Sequence, residues 1–177
     1  MILFNDEMRR RASRELLNLV RYPQLPIGLS QIIQSGFSKK NGCYFFENYA
    51  SKLEEMGPDM IRSRFGDLTG YEVSFNTIHI DDFSEELTLS IGLAFSREFL
   101  KSWAKWADVP CKLVVASNDG EFGEDTSFRF YVPREDEVYM DYSNISGFDE
   151  AIIAVDVLPG SDSNLLNLDR VRNVMAG

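Results

Sequence analysis

His79 is the only histidine in this 177-residue chain, and Cys43 and Cys111 are its only cysteines, so the chemistry open to it is narrowly bounded. Nucleophilic catalysis by a Ser–His or Cys–His pair needs a base that titrates near neutral pH. His79 lies between Ile78 and Ile80, where strand alternation turns its ring away from both isoleucines, and no G-x-S-x-G elbow accompanies it. A structural role is expected for it. A structural zinc site wants four Cys or His ligands, more than the chain contains. The oxygen-rich stretch Asn118-Asp119-Gly120-Glu121-Phe122-Gly123-Glu124-Asp125 would put Gly120 and Phe122 where a calcium loop requires carboxylates. Both glycine-rich phosphate fingerprints are absent. The expectation is therefore a protein with no metal, no cofactor and no catalytic centre of its own. The alternative is a small-molecule or carbohydrate-active enzyme using paired carboxylates, since such pairs meet in space and leave no trace in spacing.

Charge is the feature that survives these exclusions. Eighteen basic and 28 acidic residues give a formal charge of −10, which opposes binding to nucleic acid or an anionic membrane surface. The imbalance is concentrated: residues 1–65 hold 10 basic and 7 acidic residues, and residues 66–177 hold 8 and 21. Two stretches stand out, one with Asp119, Glu121, Glu124 and Asp125, the other with Glu135, Asp136, Glu137 and Asp141. Phe122, Tyr139 and Tyr142 are interleaved with them, the pattern of aromatic anchors inside a charged ring. Acidic loops also serve simply to solubilise a domain and protect strand edges. Arg9, Arg10, Arg11 and Arg14 form a basic cluster best read as a solvated helix face, with Glu7 and Glu15 at pairing distance along it.

The elements that must carry these residues follow from periodicity. Asn5 caps a first helix of roughly 5–21, a short helix covers 28–35, and Phe45, Phe46, Tyr49, Ala50 and Leu53 recur at helical spacing. Pro58 opens another short helix to Phe65, so residues 1–65 are expected to be mainly helical. From Gly70 the period changes to two. Residues 71–80 and 87–95 alternate as a hairpin across the acidic turn 81–86, and a helix follows with Phe99, Leu100, Trp103 and Trp106 as core. Residues 112–117, 127–132, 138–142 and 151–158 read as further strands, with a last short helix from Leu165. The fold class is α+β: one domain over 1–177, an antiparallel meander with helices packed on one face. Met1–Phe4 run at once into Asn5, Asp6, Glu7 and three arginines, and Leu87–Phe95 is half the length of a membrane span, so a cytoplasmic location with reduced thiols is expected.

A small, acidic domain of this layout, with Asp119–Asp125 and Glu135–Asp141 suited to a basic partner, resembles the bacterial immunity proteins of contact-dependent growth-inhibition and other polymorphic toxin systems. The resemblance implies a cognate basic toxin domain, typically a nuclease, whose active site or substrate groove is occluded. It rests on overall type, and no residue role is carried over from it.

Overall fold

The computed structural model describes residues 1–16, 19, 21–120, 123–161 and 165–176. Five antiparallel strands form the main sheet in the order β1 (Ile2–Phe4), β7 (Ala151–Val157), β5 (Cys111–Gly120), β6 (Gly123–Tyr131) and β4 (Ile78–His79). The β-branched and aromatic runs at 112–117, 127–132 and 151–158 thus became strands, as their residue types require. β5 and β6 are a hairpin in register from Lys112↔Tyr131 to Gly120↔Gly123, while β7 returns to the other side of β5 with Ser117↔Ala151. The class is α+β.

Alternation splits the central strands between two faces. Leu113, Val115, Phe128, Phe130, Ile153 and Val155 face the helices, where they meet Phe95, Phe99 and Trp103 of α6 (Thr88–Trp106) in the main core. Val114, Ala116, Ile152 and Ala154 face the other way and are covered by Ile145, Met140 and Tyr142. Gly92 lets α6 approach the sheet closely, since a Cβ there would lie 3.1 Å from the Thr126 methyl. The main core also takes Met8, Ala12 and Leu16 from α1 (Asp6–Leu16), Leu29 and Ile32 from α2 (Ile27–Ser35), and Leu168 and Val171 from α7 (Leu168–Ala176).

A second hairpin, β2 (Phe37–Lys40) with β3 (Cys43–Phe46), turns at Asn41 and Gly42, both at positive φ (55° and 79°). This is the Asn-Gly geometry that matches strand twist. β3 serves two cores by alternation: Tyr44 and Phe46 pack into the main core, Cys43 and Phe45 into a smaller one with Ile61, Tyr71 and Phe75. The smaller core is closed by α3 (Glu47–Ala50), α4 (Pro58–Phe65) and α5 (Leu68–Asn76).

Three expectations are corrected here. Cys43–Phe46 is a strand, and the helix expected from Phe45 is reduced to α3, because the Asn-Gly turn commits the preceding residues to a ladder. The hairpin expected at 71–80 and 87–95 is two helices, with only Ile78–His79 extended. Tyr71, Glu72 and Val73 are consecutively buried, and so is every residue from Thr88 to Ser96, so these stretches carry no exposed polar face to mark the 3.6-residue period. Residues 138–142 are not a strand. The Asp141 carboxylate accepts from the Ser143 amide (3.0 Å) and starts a 3-10 turn at Tyr142–Gly147.

Candidate functional site

The sheet register brings three separate loops to one end of the molecule. β4 pairs with β6 through His79↔Ser127, and the Ile80 amide donates to the Thr126 carbonyl (2.7 Å), which places residues 81–87 beside the β5–β6 turn. On the other side of β5, Ser117↔Ala151 sets Asp149 and Glu150 there too, and Asn118 Nδ2 donates to Glu150 (3.4 Å). The result is a rim of exposed carboxylates: Asp81, Asp82, Glu85, Glu86, Asp119, Asp125, Asp149 and Glu150. Glu121 and Phe122 lie outside the described residues.

A buried polar lattice holds this rim in place. The Arg11 side chain, 10% exposed, bridges Glu7 (3.3 Å), Asp119 (2.9 Å) and Glu124 (3.7 Å). Glu124 accepts from Thr88 Oγ1 (2.7 Å), whose hydroxyl meets Thr126 (2.9 Å), which donates to Ser117 Oγ (3.0 Å). Glu124 is therefore half-buried and internally engaged, unlike Asp125. Glu15 reaches across from α1 to accept the Ser90 amide (2.8 Å), satisfying a first-turn donor of α6. Burial pushes its carboxyl above the usual range against the hydrogen bonds from Ser90, with Glu124 adding to the rise. Leu87, just before α6, sits at φ 55° with an exposed side chain.

The second acidic stretch lies elsewhere. β6 runs nine residues from Gly123 to Tyr131, so residues 134–142 begin about 27 Å from the β5–β6 turn. The two stretches do not form one continuous face. Within the second, Glu137 accepts from the Thr69 amide (2.7 Å), Thr69 Oγ1 (2.6 Å) and the Leu68 amide (3.4 Å), capping α5 beside Asp67, which accepts from Gly70 (2.6 Å). Arg134 clamps the fully buried Glu72 with contacts of 2.9 and 3.1 Å, while Glu72 also accepts the Tyr44 and Val132 amides (2.8 and 2.7 Å). Burial pushes Glu72 up and these donors oppose it. Hydrogen bonds from Ser143 hold the Asp141 carboxyl below its ordinary value. The aromatics are packed: Tyr139 meets the Tyr131 ring edge-on, and the Tyr142 hydroxyl bonds that of Tyr131 (2.7 Å) beneath the Lys112 ammonium, 3.8 Å from the Tyr142 ring. Glu135 and Asp136 are exposed.

The acidic stretch 118–125 contributes Asp119 and Asp125 to the rim and Glu124 to the lattice beneath it, whereas Asp81, Asp82, Glu85, Glu86, Asp149 and Glu150 were not expected as their neighbours. The acidic turn 81–86 was visible in the sequence, and its position beside 118–125 was not, because that depends on β4 pairing with β6.

Small-molecule sites are usually clefts of roughly 300–1,000 Å³. Between the rim strands the hollow over Ala116, Ser127 and Arg129 holds only about 30 Å³, and a hollow of about 540 Å³ is lined, among the described residues, by 81–86. A larger cleft of about 670 Å³ lies at the opposite end, between Asn41, Met56, Ile61, Arg62, Asp67 and Asp136. Neither thiol is activated: both cysteines are free and buried, and burial pushes Cys43 up to about 12 and raises Cys111 as well. Among the described residues, no helix is long and apolar enough to cross a membrane.

No solved structure matches the chain. A similar protein, "Uncharacterized protein PM0498" of Pasteurella multocida (strain Pm70), is 26% identical over 156 residues, covering 86% of this chain and 97% of that protein. The family described as "Uncharacterized protein PM0498 family" matches residues 3–167, and the chain belongs to that family.

Proposed function

We propose that this chain is a non-catalytic, cytoplasmic protein-binding domain that neutralises a basic partner, as immunity proteins do with a toxin domain such as a nuclease. The observation that carries the reading is the convergence of eight exposed carboxylates from three loops on one end of the sheet, with Arg11 and Arg129 as the nearby cations. Arg11 is consumed inside the lattice and Arg129 is half-buried, so exposed carboxylates outnumber these cations at this end. Such an excess accelerates encounter with a cationic surface and occupies the groove where that surface would hold phosphates. The hollow between the strands, about 30 Å³, is too small for a small-molecule site. The contact set of this reading is Asp81, Asp82, Glu85, Glu86, Asp119, Asp125, Asp149 and Glu150, and Leu87 supplies an exposed apolar anchor among them.

The test is association kinetics with a basic protein captured by pull-down on the chain. Asp82→Lys with Glu85→Lys should slow association at about 0.1 M salt, and the difference should shrink toward 1 M as the Debye length falls from about 10 to about 3 Å. Glu135→Lys with Asp136→Lys, at the other end of β6, is the internal control. Equal association rates for the two double variants would overturn the assignment of the rim.

A further inference from the structure

We propose that His79, Asp81 and Asp125 form a surface site for one divalent first-row transition ion; it shares Asp81 and Asp125 with the contact set above but does not rest on the partner reading. Each of the three offers a ligand atom, and these atoms all lie within 4.8 Å of one another. In an ideal tetrahedral site with bonds near 2.0–2.1 Å the ligands stand roughly 3.4 Å apart. The His79 Nδ1 to Asp125 Oδ1 separation is already 3.7 Å, so a small side-chain rotation closes the set.

The backbone under these ligands is fixed. His79 and Asp125 project from paired strands, two positions apart across the ladder at His79↔Ser127. Asp81 follows Ile80, which is tied at both ends: its amide donates to Thr126 and its carbonyl accepts from Phe83 (3.0 Å) and Ser84 (3.2 Å). The three donors are thus preorganised by main-chain hydrogen bonds. Strand alternation accounts for the direction of the imidazole, since Ile78 and Ile80 are buried and His79 points outward. Among the described residues, no lysine or arginine pairs with Asp81 or Asp125, so both carboxylates are available as ligands.

The donor set identifies the ion class. One imidazole nitrogen with two carboxylates suits zinc, cobalt or manganese, with water completing the shell, whereas magnesium and calcium prefer oxygen alone. The site is exposed on all three ligands, and the fold stands on its cores without it.

Because His79 is the only histidine, its ring resonances report on this site alone, provided the protein carries no polyhistidine tag. Titrating the full chain with Co2+ or Zn2+ should shift or broaden those resonances, with one ion bound per chain by calorimetry. Loss of an outer-shell contact alone weakens metal sites roughly 10–100-fold, so His79→Ala, Asp81→Asn and Asp125→Asn should each weaken binding by at least ~10-fold. Asp82→Asn and Asp119→Asn remove neighbouring charge and should leave affinity within about threefold. All five side chains are exposed, so the variants should fold, which circular dichroism checks. Unperturbed His79 resonances, or affinity that falls equally for Asp82→Asn and Asp125→Asn, would overturn the proposal.

Discussion

At the 134–142 end of β6, Glu137 caps α5 through three hydrogen bonds and Arg134 is clamped on buried Glu72. At the 118–125 end, Asp119 and Glu124 are held by Arg11, whereas Asp125 meets the exposed ring of His79, and Asp81, Asp82, Glu85 and Glu86 are exposed. Both stretches look alike in sequence, dense in Asp and Glu and flanked by aromatics. Their difference lies in what reaches them: the start of α5 presents free amides to the first, whereas the amide of Ser90 near the start of α6 is already taken by Glu15 from α1. A carboxylate becomes part of the fold when an unsatisfied donor is within reach, and otherwise remains surface charge.

Substitutions at the two ends should separate on a stability scale. The largest effect is expected for Arg134→Met, which strands Glu72 in the interior. Removing one partner of a buried ion pair costs about 3–5 kcal/mol, whereas an exposed rim change such as Asp125→Asn should stay within about ±0.5 kcal/mol. Urea unfolding of the two variants decides it, and similar midpoints would erase the distinction. Next in size is Glu137→Ala, which leaves the Leu68 and Thr69 amides without their acceptor and should cost about 1–2 kcal/mol, the scale of a lost helix cap. Glu135→Ala, two residues away and exposed, should be silent in the same measurement.

The smallest effect sharpens the comparison at the rim itself. Burial raises the Glu15 carboxyl above its unfolded value, which is about 4.3. A raised folded pKa contributes stability that is fully present below the unfolded value and is lost as pH rises through the folded one. Glu15→Gln keeps an oxygen for the Ser90 amide and removes that titration. Relative to the variant, the wild-type protein should therefore lose stability as pH increases above about 4.3. Parallel stability curves for the two proteins from acid to neutral pH would show that the rim lattice does not feel this charge.

How much was legible from sequence follows the same division between local and distant causes. β5, β6 and β7 announced themselves through residue type, and α2 and α4 through the prolines and glycines around them. The hairpin wrongly expected across 81–86 shows the limit of periodicity. Leu89, Leu93, Ser96, Leu100 and Trp103 satisfy helical spacing, and Leu89, Ile91 and Leu93 satisfy strand spacing, so only the length of the run, from Thr88 to Trp106, distinguishes them. Asn41-Gly42 carried a turn signal that outweighed the helical spacing of the aromatics after it. In the candidate site, acidity was legible and adjacency was not. Glu72 lies 62 residues from Arg134, and His79 meets Asp125 only because a two-residue strand pairs with β6.

The pairing of Ile2 with Val155 has a consequence for how the molecule assembles. β1 covers the outer edge of β7, and so cannot dock until the residues between Phe4 and Ile153 have been synthesised. Contacts of such sequence separation slow folding, because the entropy of closing the intervening loop must be overcome before the pairing adds stability. Until then β7, almost wholly apolar, presents unpaired amides and carbonyls along one side. The three residues Ile2 to Phe4 cover that edge, and a covered edge cannot pair with the strand of a neighbouring chain.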